Sequence, residues 1–279
     1  MKEKFEVPHA ERVVGVPTEH QDKQEIVEKN FAKFFELERE KKEGIELEKT
    51  ERDIELINFA AQAVEKYLAH YGSTKNIEIL LEKFHLLKEG GTEEFTKGRI
   101  KGGSSSSLYS SILLDRPQSD IQFAVMAFHE LFHAKSYKAF QATTEGEPEV
   151  YRSGFSVVSR DGKTTYFDEF EEALVGYMER KFYKEVVIKS DVLKKEVEEF
   201  AKDNKVPIFS RVEEVKSAEQ LINQLFELNK DKFKTKNEIF DLFLEAQATG
   251  KLLKVGRLIE SSLGKGSFRA LGEKTAKNE

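Results

Sequence analysis

Apolar positions recur along the chain in a few distinct rhythms, and each predicts an element. From about Glu19 to Glu43 a heavily charged stretch carries Ile26, Phe31, Phe34, Phe35 and Leu37 as one stripe. Thr18 and Gln21 are spaced as a capping box before it, so a long helix with a solvated charged face is expected. Thr50–Tyr71 repeats the rhythm with Ile54, Ile57, Ala61, Val64 and Leu68, and Gly72 supplies a stop. Asn76–Leu87 alternates at Ile77, Ile79 and Leu81 but not beyond, which leaves strand and short helix both open. Ser104–Asp115 opens as a serine run and turns apolar at Leu108, Tyr109, Ile112, Leu113 and Leu114, a strand in its second half. Arg116-Pro117 closes it, and Pro117 suits the first turn of the next helix. Val150–Ser159 and Lys163–Phe167 flank Arg160-Asp161-Gly162, a hairpin signal. Amphipathic helices follow at Asp168–Lys184, Val192–Lys202, Ala218–Leu228, Lys236–Ala248 and Leu252–Leu263, and the polar tail after Arg269 is expected to fray.

Ile121–Tyr137 breaks these rhythms. Ile121, Phe123, Ala124, Val125, Met126, Ala127, Phe128, Leu131 and Phe132 make it apolar nearly all round, the pattern of a helix buried in an interior. Yet His129, Glu130 and His133 sit in its middle. One unpartnered polar group there costs roughly 2–7 kcal/mol, so partners are required. Two histidines four apart stack one helical turn from each other and can reach a common metal ion, while the adjacent Glu130 can hold a water molecule beside it. His-Glu-x-x-His on a helix is the two-histidine half of a zinc hydrolase site.

Composition narrows the chemistry. The chain has 279 residues, 34% of them charged, and a net charge of −6, which argues against general nucleic-acid binding. There are no cysteines, so metal ligands must come from histidine, aspartate or glutamate. Neither a membrane-spanning run nor the apolar core of a signal peptide is evident, and a cytoplasmic location is expected. Of the six histidines, His9 and His20 read as surface residues, His70 suits the end of its helix, and His85 reads as a strand-end or surface residue.

A catalytic zinc needs a third protein ligand and an open position. The Asp168–Lys184 helix offers Asp168, Glu169, Glu171 and Glu172. Its run Phe170-Glu171-Glu172-Ala173-Leu174-Val175-Gly176-Tyr177 resembles the second zinc helix of the gluzincin metallopeptidases, the zincin branch that includes thermolysin and many zinc aminopeptidases. That resemblance, which covers about residues 100–184, places the ligand at Glu172, with Glu171 the alternative. Gly176 stands where the thermolysin branch often has an acid that supports the site, so such a partner must come from elsewhere. The resemblance implies an α+β, predominantly helical fold with a zincin-like catalytic core and small mixed sheet at 76–190, between helical regions at 1–75 and 191–279. It also implies one Zn2+ per chain held by His129, His133 and Glu172, Glu130 as general base, and a peptide or protein substrate with no nucleic-acid or membrane partner. Tyr151, Tyr166 and Tyr177 are candidates for oxyanion stabilisation, and Arg152 for binding a substrate carboxylate. The strand before the active helix could pair with an extended peptide.

Two other classes compete. Glu82–His85 and Glu130–His133 are both Glu-x-x-His, the spacing of di-iron carboxylate bundles, although His129 then has no role. A zincin scaffold kept as a non-catalytic binding module is the other.

Overall fold

The computed structural model describes residues 12–15, 44–73, 81–98, 102–106, 111–142, 148–159, 162–203 and 205–278. The expected helix from Glu19 to Glu43 with its cap, and the positions of His9, His20, Ile77, Ile79, Leu108, Tyr109, Arg160 and Asp161, lie outside them. In chain order the elements are β1 (Arg12–Gly15), α1 (Glu51–His70), β2 (Phe84–Leu87), α2 (Gly91–Phe95), β3 (Gly103–Ser106), β4 (Ser111–Asp115) and α3 (Asp120–Lys135). Four strands follow, β5 (Lys138–Ala142), β6 (Pro148–Ser153), β7 (Ser156–Val158) and β8 (Thr164–Tyr166). Then come α4 (Asp168–Glu185), α5 (Lys194–Lys202), α6 (Val212–Leu228), α7 (Lys236–Thr249), α8 (Leu253–Leu263), α9 (Ser267–Lys274) and β9 (Lys277–Asn278). The protein is thus mixed α+β, mostly helical, with two small sheets.

The helix carrying the two histidines lies at the centre of the core. Its apolar circumference is matched on several sides: α1 and α4 pack on it, and so do β3 and β4. Phe128 stacks on Phe182 of α4 with ring centroids 4.4 Å apart and meets Tyr67 of α1 edge-on. Ile121, Phe123, Val125 and Phe128 are wholly buried. The helix starts at Asp120, so Pro117 precedes the cap and does not occupy the first turn. Ser119 is the cap and accepts the Gln122 N–H. Glu196 of α5 reaches across to accept the Ile121 N–H at 2.9 Å and the Ser119 hydroxyl at 2.6 Å. These contacts satisfy donors that a helix start leaves unpaired.

The three-stranded sheet has the order β2-β4-β3, with β2 parallel to β4 and β3 antiparallel to it. The stretch from Ser104 to Asp115, expected to be a strand only in its apolar second half, contributes two strands, β3 from the serine run and β4 at Ser111–Asp115. β4, whose edge was the expected docking edge, is central, because β2 covers one side of it and β3 the other. Val150–Ser159 likewise divides, turning at Gly154-Phe155 between β6 and β7. The second sheet has the order β1-β5-β6-β7-β8-β9.

α4 begins at Phe167, whose backbone is left-handed (φ 61) and provides no side-chain cap. The end of the described chain supplies the missing acceptors: Gly272 C=O accepts the Phe167 N–H at 3.1 Å, and Thr275 C=O accepts the Glu169 N–H at 3.0 Å. β9 then pairs with β8. The segment expected to fray is thus ordered as far as Asn278, since it completes the start of α4. One large apolar cluster takes buried residues from α1, α3, α4, α6, α7 and α8.

Candidate metal centre

α3 is covered everywhere except along one stripe. Gln122, Met126 and His133 are partly exposed, and His129 and Glu130 between them keep 8% and 9% of their surface. The spacing of these positions places them on one helical face. Across from that face, α4 presents Glu172.

The three candidate ligands converge. His129 Nε2 lies 3.4 Å from Glu172 Oε2, and His133 Nε2 lies 3.4 Å from Glu172 Oε1. One ligand atom from each residue falls within 4.8 Å of the other two, and the group could hold a metal ion. A tetrahedral ion with bonds of about 2.0–2.2 Å separates its ligand atoms by about 3.3–3.6 Å, so the observed carboxylate-to-imidazole spacing suits one. His133 Nε2 is buried and, although it faces Glu172, makes no hydrogen bond. Such a group costs about 1–3 kcal/mol if left unmet, and a cation among these three donors would meet it.

The opposite ring nitrogens are held by two more carboxylates of α4. His129 Nδ1 is 2.9 Å from Glu179 Oε2, and Glu179 in turn accepts from the Ser210 hydroxyl at 2.8 Å and the Ser210 N–H at 3.3 Å. His133 Nδ1 faces Glu171 Oε1 at 3.5 Å. Glu171 accepts the Phe155 N–H at 2.8 Å and a Gln247 amide N–H at 2.7 Å. Carboxylates behind ligand imidazoles fix the ring orientation and leave Nε2 to face the ion. Glu171 is therefore the buried support of the group and Glu172 its third corner. Glu179 supports His129 from behind.

Two glycines allow these approaches. A Cβ on Gly154, which is left-handed at φ 55, would collide with the Glu171 carboxylate. A Cβ on Gly103 of β3 would stand 2.9 Å from Glu130 Oε1 and 2.8 Å from Leu114 Cδ1.

The charges of the cluster are coupled. Burial disfavours charge on His129, but Glu172 and Glu179 outweigh it and raise its pKa to about 9. Burial likewise opposes charge on His133, yet Glu172 and Glu171 hold it well above the ordinary imidazole value. Burial would raise Glu172, but the two imidazoles keep it well below the carboxylate range. Glu130 is raised, chiefly by burial, with the imidazoles offsetting part of the effect. Arg211, left-handed at φ 55 where α6 begins, donates from Nε to Glu172 Oε2 at 2.9 Å.

Other sequence candidates fall elsewhere. Tyr177 stacks on Phe240 at 3.8 Å between ring centroids, with its hydroxyl raised by burial and by Asp241, Glu219 and Glu185, away from the histidines. Arg152 is buried, donates to the carbonyls of Gly154 and Gly250, and lies over the Tyr137 ring, a structural role. Tyr151 and Tyr166 sit in β6 and β8. Asp168 and Glu169 lie at the start of α4 and are not in the group either. His85 is in a strand and 2.7 Å from Glu46, and Glu82 is in a separate 3-10 turn, so the second Glu-x-x-His is not a helical motif and does not reach the first. Sequence reasoning missed Glu179, Ser210, Arg211 and Gln247. Glu179, seven residues beyond Glu172 and flanked by Met178 and Phe182, carried a readable sign: an acid on the same helical face in apolar surroundings. The others approach from distant loops and helices, and no local pattern marks them.

Comparison with protein-family models, with curated proteins and with solved structures finds no match to this chain. Among the described residues no helix is long and apolar enough to cross a membrane.

Proposed function

We propose that the protein is a zinc-dependent peptide hydrolase of the gluzincin type, with one zinc held by His129, His133 and Glu172. The observation that carries this reading is the buried, unpartnered His133 Nε2 facing Glu172 beside a second imidazole in the same relation. The lack of thiolates and the mixed imidazole and carboxylate donors favour zinc with an open position. When bound, zinc supplies Lewis acidity toward a water molecule and the scissile carbonyl.

The chain's own groups account for the rest. Glu130, next to a ligand and on the partly open stripe, accepts the water's proton and passes it to the leaving amine. Glu179 and Glu171 keep the imidazole Nε2 atoms aimed at the ion. Arg211 is the cation placed to meet negative charge developing beside Glu172. An extended peptide pairs with the outer edge of β3, which has no strand beyond it among the described residues.

The test is a peptide-library assay of the zinc-loaded protein with two variants. Glu130→Gln is expected to keep zinc and lose about 100-fold to 10,000-fold in turnover, the usual contribution of a general base. His133→Ala is expected to lose zinc and activity together. Full activity in Glu130→Gln would remove the role given to that residue. Stoichiometric zinc with no hydrolysis of any peptide would leave a metal-binding module instead.

A further inference from the structure

Resting on that reading of the site, we infer that the segment Val206–Val212 forms an apolar lip that selects extended peptides bearing an aliphatic side chain two to three residues from the scissile bond. Among the described residues eight large hydrophobic side chains are exposed, and three of them, Val206, Ile208 and Val212, fall within these seven positions. Scattered exposed aliphatics need no explanation, but a cluster does. This cluster flanks Ser210 and Arg211, the residues that reach Glu179 and Glu172.

The lip is a fixed structure. Burial alternates along it: Pro207 is buried and Phe209 partly so, while Val206 and Ile208 face out. Phe209 is held inward by Tyr183 at 5.6 Å and by the Arg180 guanidinium at 5.3 Å. The Ile208 backbone is tied on both sides to one side chain of the active helix, since its N–H donates to Gln122 Oε1 at 2.7 Å and its C=O accepts from Gln122 Nε2 at 2.9 Å. Arg180 holds the Ser210 carbonyl at 2.9 Å. A segment this firmly pinned nevertheless leaves the Ile208 side chain 82% exposed.

Its position gives it a use. Gln122 lies seven residues before His129 on the partly open stripe, about 10 Å along the helix axis. Met126, partly exposed, lies between them. Gly102 of the β3 approach flanks that stripe, because a Cβ there would be 3.5 Å from Met126 Cε. The stripe is thus bordered by the start of β3 and by the lip, and runs into the metal centre. An extended peptide advances about 3.3 Å per residue, so a side chain over Met126 and Ile208 belongs to a residue two or three away from the cleaved bond. The surface there is aliphatic, and a peptide with Leu, Ile or Val at that place is the occupant it fits.

The experiment uses the full chain, zinc-loaded, carrying Glu130→Gln to prevent turnover. Two fluorescein-labelled decapeptides, identical except for Leu or Ser at alternate positions, are titrated by fluorescence anisotropy. The Leu peptide is expected to bind at least tenfold more tightly. The double variant Val206→Ser/Ile208→Ser, at exposed positions and with zinc content and circular dichroism as controls, is expected to reduce that gap to less than twofold. Should the double variant not fold, Ile208→Ser alone is expected to narrow the gap by at least threefold. Equal binding of the two peptides, or an unchanged gap in a folded variant, would overturn the proposal. So would a dimer in sedimentation that the double variant abolishes, since a second copy would then cover the lip. Selective binding of the Leu peptide by a protein that cleaves nothing sustains the lip and sinks the hydrolase; cleavage indifferent to Leu does the reverse.

Discussion

Glu171, Glu172 and Glu179 show how much environment decides a carboxylate's role. All three belong to α4, yet one anchors a backbone N–H, one faces two imidazoles, and one buttresses a ring from behind. Glu179→Ala should therefore weaken zinc affinity by about 10–100-fold, the usual effect of losing a carboxylate behind a ligand imidazole, with the fold retained. Competition with a chromophoric chelator measures this. Glu171→Ala should behave differently, because the buried Phe155 N–H and the Gln247 amide would lose their acceptor. A cost of about 1–3 kcal/mol per orphaned group lowers the melting temperature of the metal-free protein as well as its affinity. An Ala variant at Glu171 with unchanged thermal stability would show that these donors find other partners. The resemblance favoured Glu172 over Glu171, but helical periodicity alone did not separate the two, since both occupy plausible positions and the choice depends on which way α4 is rotated against α3.

At the scale of elements, the site depends on how two helices begin. α3 is capped by Ser119 and by Glu196 from another helix, and α4 is capped by backbone carbonyls of the chain's last described segment. Ser119→Ala removes the acceptor for the Gln122 N–H and the donor to Glu196. A loss of about 1–2 kcal/mol is expected in chemical denaturation, typical of an N-cap. Zinc affinity should hardly change, because the histidines lie more than two turns away. A large fall in affinity would mean that the cap also sets the helix's position. The existence and type of α1, α3, α4 and the later helices were readable from apolar periodicity. The strands were less so: the serine run that forms β3 was not read as a strand of its own, and β6 and β7 were read as one stretch, because a serine run carries no apolar alternation and the Gly154-Phe155 turn does not clearly interrupt its own.

For the whole molecule, the proposed metal and protons would compete for one cluster. In the metal-free protein the facing carboxylates raise His129 to about 9 and hold His133 well above the ordinary imidazole value, against about 6.5 in an unfolded chain. Between those values the folded state binds more protons than the unfolded one. Metal-free stability is therefore fully supported below about pH 6.5 and declines as pH rises toward 9. Zinc at the proposed site would reverse the slope, since ligation requires neutral imidazoles and expels those protons. Melting temperatures in chelator should fall from pH 6.5 to 9, while the increment given by a fixed zinc concentration should grow over the same range. At a free zinc concentration about 100 times Kd the stabilisation is about 2.7 kcal/mol. Parallel slopes with and without zinc would contradict the ligand assignment.

The chain alone determined that a buried helix must present two imidazoles and a carboxylate on one face, because apolar periodicity and four-residue spacing are local properties of a helix. It also named the pair of acids from which a third ligand would come. Only the tertiary structure decided between them, recruited Glu179 and Gln247, and brought Ser210 and Arg211 to the centre. Those choices depend on the rotation and approach of segments far apart in sequence, set by how side chains such as Phe128 and Phe182 interlock, and no single stretch of residues encodes them.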